Sequence, residues 1–343
     1  MSDKLKILVT GGNGFIGSHT VVELLHAGYN PVIADNFSNS SPGIVENIER
    51  ITGKRPAFSE TDICSESETQ KLFLEHGPFD AVIHFAAFKA VGESMEKPLM
   101  YYHNNIGSLI SLIRVMQQNQ VSKLVFSSSC TVYGQPDILP VTEKTPLKSA
   151  ASPYGKTKQL CEEIINDVCT VEKLDAVSLR YFNPAGAHES ALIGELPLGI
   201  PNNLVPFIMQ TAIGKREVLN VFGGDYNTPD GTAIRDYIHV VDVAKAHVSA
   251  LQRLYSQHSH NGNEIFNLGT GKGNSVLEAI NSFEKTSGTK LNYKIVARRS
   301  GDIEKVWADT SMANKELGWK TELDIDDIMR SAWNWEKYLA SNV

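Results

Sequence analysis

The sequence predicts an α/β fold: a doubly wound parallel sheet carrying a smaller, discontinuous C-terminal α/β lobe. Three observations predict it. Short β-rich runs alternate with stretches long enough for crossover helices, a glycine-rich turn follows the first run, and a late strand-like run returns after the rhythm has broken. The runs are Lys6–Thr10, Pro31–Asp35, Ala57–Thr61, Ala81–Phe85, Lys123–Ser128 and Ala176–Phe182. Parallel strands need a crossover, and crossovers are right-handed, so helices must cover both faces of the sheet.

The later elements set the domain organisation. Turn formers crowd 187–203 and 223–232, where periodicity disappears and binding loops are expected. The helical Val241–Leu254 then leads to the strand-like Glu264–Gly269, which takes the chain back to the sheet. The expected division is residues 1–182 plus about 236–270 for the sheet domain, and 183–235 plus about 271–343 for the second lobe. A closing helix over Asp324–Leu339 carries Ile325, Ile328, Met329, Ala332 and Trp335 on one face, a pattern of core packing.

Composition excludes several function classes. The chain has 343 residues, 42% apolar and 21% charged, with a formal net charge of -7, so no global positive field recruits nucleic acid or an anionic membrane. No apolar stretch approaches the ~20 residues of a membrane span, and the N-terminus shows no apolar signal core, so the expected location is the cytoplasm. Cys64, Cys130, Cys161 and Cys169 form no metal-ligand or disulfide pattern, and no metal is expected. The sequons at Asn36 and Asn39 read as accidental.

The segment Thr10-Gly11-Gly12-Asn13-Gly14-Phe15-Ile16-Gly17 satisfies G-x-G-x-x-G in the strand–turn–helix context that a dinucleotide requires. Its glycines permit close backbone approach, and the following helix aims N–H groups at a pyrophosphate. Asp35 ends the next strand, 18 residues past Gly17, and no arginine lies within five residues of it. A carboxylate there accepts from both ribose hydroxyls of NAD and repels the 2′-phosphate of NADP, so this is a Rossmann-type domain for NAD. Asp62, Ile63, Phe85, Ala86 and Lys89 follow the third and fourth runs, where open sheets bind ligands. For Asp62 an N-cap role ahead of a helical Ser67–His76 is an equal alternative.

Catalytic candidates cluster after the fifth run. Ser127-Ser128-Ser129 closes it, and Tyr154 comes 25 residues after Ser129 in Ser152-Pro153-Tyr154-Gly155-Lys156-Thr157-Lys158. Ser152 suits an N-cap and Pro153 the first helical position, which places Tyr154 and Lys158 four apart on one helix face. An adjacent ammonium and a positively charged nicotinamide both favour the tyrosinate, so Tyr154 becomes a base.

With these motifs the sequence resembles the UDP-glucose 4-epimerase family of the extended short-chain dehydrogenase/reductase superfamily, nearly end to end. The resemblance also rests on His84-Phe85-Ala86-Ala87, Ser129-Cys130-Thr131-Val132-Tyr133-Gly134, Arg180-Tyr181-Phe182-Asn183-Pro184-Ala185-Gly186, Pro201-Asn202-Asn203-Leu204, Arg235-Asp236-Tyr237-Ile238-His239-Val240 and Asn267-Leu268-Gly269. It implies that Tyr154 takes the proton from the sugar 4-hydroxyl, Ser129 hydrogen-bonds the same oxygen, and Lys158 holds the nicotinamide ribose and the tyrosinate. Hydride passes from C4 to NAD and returns to the other face of the 4-keto sugar.

The resemblance also implies NAD contacts from Gly11, Gly14, Phe15, Ile16, Gly17, Asp35 and Asn36. Asp62, Ile63, Phe85, Ala86, Lys89, Asn104, Ser127, Tyr154, Lys158 and Phe182 extend that set. For a UDP-hexose it implies phosphate donors from Asn183, Asn203, Arg235 and Arg299, with Leu204 and Phe222 flanking the uracil and Asp302 accepting from ribose. Ser129, Tyr154, Asn220, Tyr237 and Val306 complete the substrate set. It further implies a homodimer through helices around Asn104–Gln118 and Pro153–Val168.

Three alternatives belong beside this one. A nucleotide-sugar 4,6-dehydratase needs a carboxylate pair for elimination, whereas Ser129 is followed by Cys130-Thr131. A dehydrogenase requires NADH to accumulate with turnover. A non-catalytic NAD sensor has no need of Ser129, Tyr154 and Lys158 together. Val306, a small residue where some members carry tyrosine, leaves room for a 2-N-acetyl group, which extends the expected substrates to UDP-N-acetylglucosamine and UDP-N-acetylgalactosamine.

Overall fold

Each predicted apolar run forms a strand in the computed structural model, which describes residues 4–256, 262–299 and 303–341. They are β1 (Lys6–Thr10), β2 (Asn30–Asp35), β3 (Ala57–Glu60), β4 (Ala81–His84), β5 (Lys123–Ser129) and β6 (Asp175–Tyr181). The helices among them are α1 (Phe15–His26), α2 (Ile44–Thr52), α3 (Glu66–His76), α4 (Val91–Glu96), α5 (Pro98–Gln118) and α6 (Pro153–Val171). Beyond β6 the chain forms β7 (Asn183–Ala185), α7 (Leu204–Ala212), β8 (Leu219–Phe222), β9 (Ile234–Arg235), β10 (Tyr237–His239), α8 (Val240–Leu254) and β11 (Asn263–Leu268). It ends with β12 (Asn274–Ser275), α9 (Val276–Ser287), β13 (Tyr293–Val296), β14 (Lys305–Val306) and α10 (Ile325–Ser341).

Seven strands form one parallel sheet in the order β11-β6-β5-β4-β1-β2-β3. The direction of strand addition reverses at β1, which lies between β2 and β4, and ligands bind outside the carboxyl ends at such a switch point. Alternate residues of β1 serve opposite faces. Ile7 and Val9 pack with Val21, Leu24, Ile48 and Leu251 from α1, α2 and α8, while Leu8 packs with Leu72, Leu112 and Ile165 from α3, α5 and α6. All of these are essentially inaccessible, each worth roughly 1.5–3 kcal/mol of transfer free energy.

The second lobe has its own core, in which Ile208, Val221, Phe283, Ile328 and Met329 meet from α7, β8, α9 and α10. The predicted closing-helix face points into it, with Trp335 also buried. The two lobes are joined by a short parallel pair, β7 with β10, that runs on directly from β6. Asp236, fully buried, latches this junction by accepting from Thr270 N and Oγ1 at 2.8 and 2.7 Å and from Ala308 N at 3.1 Å.

Of the two readings of Asp62, the helix cap fails. Ser65, not Asp62, caps α3, its hydroxyl accepting from Glu68 N at 3.3 Å, because the chain turns once more before the helix begins. Asp62 closes that turn by accepting from Cys64 N at 3.0 Å.

Candidate active site

The glycine turn is built by close packing. Gly11 has φ +69°, and a side chain there would strike the backbone of Ala86 beyond β4. A Cβ on Gly17 would lie on the Gly11 carbonyl oxygen. No side chain caps α1, so its first N–H groups are left to an external acceptor. Asp35 closes the far side of the turn, accepting from Asn13 N at 3.0 Å, Phe37 N at 3.0 Å and Ser40 Oγ at 2.7 Å. With about four acceptor positions on a carboxylate, three are already filled by the chain. Asn13 Oδ1, by contrast, is buried without a partner. An uncapped helix end, glycines that admit no Cβ and an orphaned acceptor fit a dinucleotide.

The other predicted cofactor positions divide between surface and packing. Asn36 accepts from Ser38 N at 3.1 Å in the loop after β2, and Ile63 is buried in the sheet core. Phe85 packs on His247, ring centroids 4.6 Å apart, and Ala86 N donates to Thr10 Oγ1 at 3.5 Å. Asn104 donates to Asn105 Oδ1 at 3.0 Å, and Lys89 pairs with Glu195 at 3.0 Å.

Ser129, Tyr154 and Lys158 converge at the carboxyl end of β5. Ser152 caps α6 by accepting from Gly155 N at 3.2 Å, and Pro153 opens the helix, which fixes Tyr154 in the first turn. Burial pushes the Tyr154 phenol well above its ordinary value, and a hydrogen-bonding interaction with Ser129 pulls it partly back. Ser129 Oγ also accepts from Thr131 N at 3.2 Å and Thr131 Oγ1 at 3.0 Å. Burial lowers Lys158 to about 8, and its ammonium donates to the Ser127 carbonyl at 2.7 Å over the Phe126 ring. In the polypeptide alone the Lys158 ammonium is bonded to the Ser127 carbonyl, and burial of the Tyr154 phenol disfavours the tyrosinate. The Ser127 hydroxyl is bonded to Tyr181.

Behind these residues lies a polar network that the motifs contained without revealing. Glu162 and Arg180, both 3% exposed, pair bidentately, with Nε–Oε1 at 2.9 Å and Nη2–Oε2 at 2.5 Å. Ser128 Oγ donates to Glu162, Arg180 Nη1 donates to Tyr133 OH at 2.9 Å, and that hydroxyl donates to Asn267 Oδ1 at 2.6 Å. The available signals were an arginine within a buried strand and an acid four residues after Lys158. Tyr181 and Glu195 were missed as well, and Glu195 lies in an irregular loop where spacing says nothing.

On the second lobe, Asn220 and Phe222 share one face of β8. The Asn220 amide oxygen is buried without a partner, and the Arg299 guanidinium stands 5.6 Å over the Phe222 ring. Arg235 Nη1 donates to Ile234 O at 2.9 Å, and its charge reaches Cys130, whose thiol burial pushes up to about 12 while Arg235 acts against that rise. Val306 pairs with Arg235 between β14 and β9 and packs with Phe182, Val132 and Tyr133. Asn183 donates its backbone N–H to Asp236 O at 3.0 Å, and Asn203 donates to Glu195 Oε1 at 2.7 Å. The Tyr237 ring is core, with Leu204 packed against the same cluster. Asp302 lies outside the described residues.

The chain is similar to proteins of known family. The model of the family described as GDP-mannose 4,6 dehydratase matches residues 8–332. A UDP-glucose 4-epimerase from Dictyostelium discoideum is 53% identical over 332 residues, covering 96% of this chain and 95% of that one. The structure of UDP-glucose-4-epimerase from Stenotrophomonas maltophila, with bound NAD and formylated UDP-arabinopyranose, superimposes with a TM-score of 0.95 at 49% identity, covering 99% of this chain and 100% of that one. The Bifidobacterium longum UDP-glucose 4-epimerase in complex with NAD+ and UDP gives a TM-score of 0.93 at 48% identity, covering 98% and 100%.

Proposed function

Since the chain belongs to the UDP-glucose 4-epimerases within that wider family, we propose that it interconverts UDP-galactose and UDP-glucose through a 4-keto sugar, with Ser129, Tyr154 and Lys158 as its catalytic residues. The observation that carries this reading is the convergence of those three side chains at the end of β5, on the sheet edge that also holds the glycine turn after β1. NAD, when bound, supplies reversible hydride acceptance at C4. The α1 N-terminus, Gly11, Gly14, Phe15, Ile16 and Gly17 hold its diphosphate, Asp35 and Asn36 its adenosine ribose, and Lys158 its nicotinamide ribose. Asp62, Ile63, Phe85, Ala86, Lys89, Asn104, Ser127 and Phe182 complete the contacts.

Tyr154 carries the chemistry of the proton. Its phenol oxygen takes the proton of the 4-hydroxyl as C4 is oxidised and returns it after the sugar has turned, so one group serves both directions. Ser129 donates to the same sugar oxygen and keeps it aligned with Tyr154. Asn183, Asn203, Arg235 and Arg299 meet the diphosphate, which an acidic chain must greet with local donors. Leu204 and Phe222 flank the uracil and Asp302 accepts from the ribose, with Asn220 beside Phe222 on β8 and Tyr237 packed in the core beneath the substrate. Ser129 is followed by Cys130-Thr131 and not by the carboxylate pair that elimination needs as acid and base.

Residues 1–182 with about 236–270 then form the NAD-binding part, and 183–235 with about 271–343 the UDP-sugar part. We assign a cytoplasmic homodimer packed through α5 and α6, where Leu99 and Ile110 are exposed; light scattering tests the state. Among the described residues no helix is long and apolar enough to cross a membrane.

The test is purified protein given UDP-galactose and no added NAD. UDP-glucose appears without net NADH, and Tyr154→Phe abolishes it; full turnover by that variant removes Tyr154 from its role. Val306, a small residue packed against Phe182 at this site, supports a second activity on UDP-N-acetylglucosamine. Normal UDP-galactose turnover with none on the N-acetylated sugar refutes that extension.

A further inference from the structure

Glu195 lies in the irregular segment between β7 and α7, and one of its oxygens serves both lobes. Oε1 accepts from Lys89 Nζ at 3.0 Å and from Asn203 Nδ2 at 2.7 Å, with the Glu195 side chain only 11% exposed. The carboxylate is held in place from behind. Trp335 Nε1 donates to the Glu195 carbonyl at 2.9 Å, Asn47 Nδ2 donates to Leu192 O at 2.9 Å, and Gly194 packs so close under the Trp335 ring that a Cβ would overlap it. Lys89 in turn stands 5.6 Å from the centroid of Phe15, the first residue of α1. Asn203 immediately precedes α7. A single oxygen therefore joins the lip of the glycine turn to the first turn of the second lobe.

From this juxtaposition we propose that Glu195 is a positioning residue coupling the two ligand sites: it aims Lys89 at the dinucleotide and Asn203 at the sugar nucleotide. The proposal rests on the assignment of Lys89 and Asn203 made above. An ammonium has three donors and a primary amide two, so after each gives one to Glu195, two and one remain. Those remaining donors have their directions fixed by a carboxylate that the fold has already immobilised. Donors whose directions are fixed before either ligand arrives have less conformational freedom to lose on binding, so one carboxylate that holds both lowers that cost at both sites.

The test uses the enzyme as purified, comparing wild type with Glu195→Gln, Glu195→Ala, Lys89→Met and Asn203→Ala. UDP-galactose KM and kcat are measured, and so is the NAD released after gel filtration and dilution. Lys89 is 45% exposed, so a surface-type pair of about two- to fivefold is the scale expected. Glu195→Gln keeps an acceptor for Asn203 but loses the charge facing Lys89. It loses NAD about two- to fivefold faster with KM nearly unchanged. Glu195→Ala changes both quantities by that factor and leaves kcat within about twofold. In the Lys89→Met background Glu195→Gln adds nothing to NAD loss, and in the Asn203→Ala background Glu195→Ala adds nothing to KM. Effects that simply add overturn the coupling, as does a lowered melting temperature with KM and NAD retention unchanged. If Lys89→Met and Asn203→Ala themselves behave as wild type, it is the ligand assignment that fails. Should Glu195→Ala not fold, the near-isosteric Glu195→Gln still decides.

Discussion

Glu162→Gln is predicted to cost more stability than any surface charge change in this chain. It leaves the Arg180 guanidinium, 3% exposed and bonded through two nitrogens, facing a neutral amide in the layer beneath Lys158. Removing one partner of such a buried pair costs about 3–5 kcal/mol, because the other charge stays desolvated. Unfolding 343 residues as one unit carries an entropy near 0.7 kcal/mol/K, at roughly 2.1 cal/mol/K per residue, so the melting temperature falls by roughly 4–7 °C. Calorimetry of Glu162→Gln, Arg180→Met and the double variant measures this. The double variant should lose clearly less than the two single losses combined, since no charge is then stranded. Full additivity, or a Glu162→Gln melting temperature within about one degree of wild type, refutes the reasoning.

Three more outcomes follow from buried groups. Burial holds His19 and His84 at about 3 and His239 and His247 at about 4. The unfolded chain protonates these rings near pH 6.5 while the folded one does not, so stability falls with falling pH; between pH 6.5 and 5.5 the loss is roughly 1 kcal/mol per ring, measured by urea unfolding. Lys158, lowered by burial to about 8, loses its ammonium as pH rises past that value, so kcat should decline on the alkaline side. The same depressed pKa makes the unfolded chain bind more protons between about 8 and 10.5, so stability rises as activity falls; any activity of Lys158→Arg should lack this limb, and its persistence assigns it elsewhere. Gly17→Ala forces a Cβ onto the Gly11 carbonyl oxygen and costs about 1–3 kcal/mol, so the variant should lose NAD on gel filtration; full retention contradicts the packing account of the turn.

The sheet was legible because its central strands β1, β2 and β4 are buried on both faces and read as near-continuous apolar runs. The catalytic helix was legible because Ser152 and Pro153 are local start signals, needing nothing from elsewhere in the chain. What the spacing could not carry was the state of the polar groups. Asp35 reads as a free acceptor, yet Asn13, Phe37 and Ser40 reach it only because the loop folds back. Tyr154 reads as a base because Lys158 is four residues on, yet the Lys158 ammonium finds a carbonyl on β5 that no helical spacing includes. Asp236 directly follows Arg235 in the sequence, and nothing local tells that the fold buries it completely to latch Thr270 and Ala308.

The states of Tyr154 and Lys158 bear directly on how the reaction is controlled. Burial raises the phenol and lowers the amine to about 8, so the polypeptide by itself keeps Tyr154 neutral while Lys158 is still an ammonium at neutral pH. Ser129 only partly offsets the rise of the phenol, and the Glu162 carboxylate helps Lys158 keep its proton. When NAD is bound, its oxidised nicotinamide ring would add a positive charge that favours the tyrosinate, and the neutral reduced ring would not. In the proposed mechanism Tyr154 would then accept a proton more readily when C4 is oxidised and donate one more readily when the ketone is reduced. The buried, protonated phenol is what makes that alternation possible, because a tyrosinate stabilised by the protein alone would hold its proton equally weakly in both half-reactions.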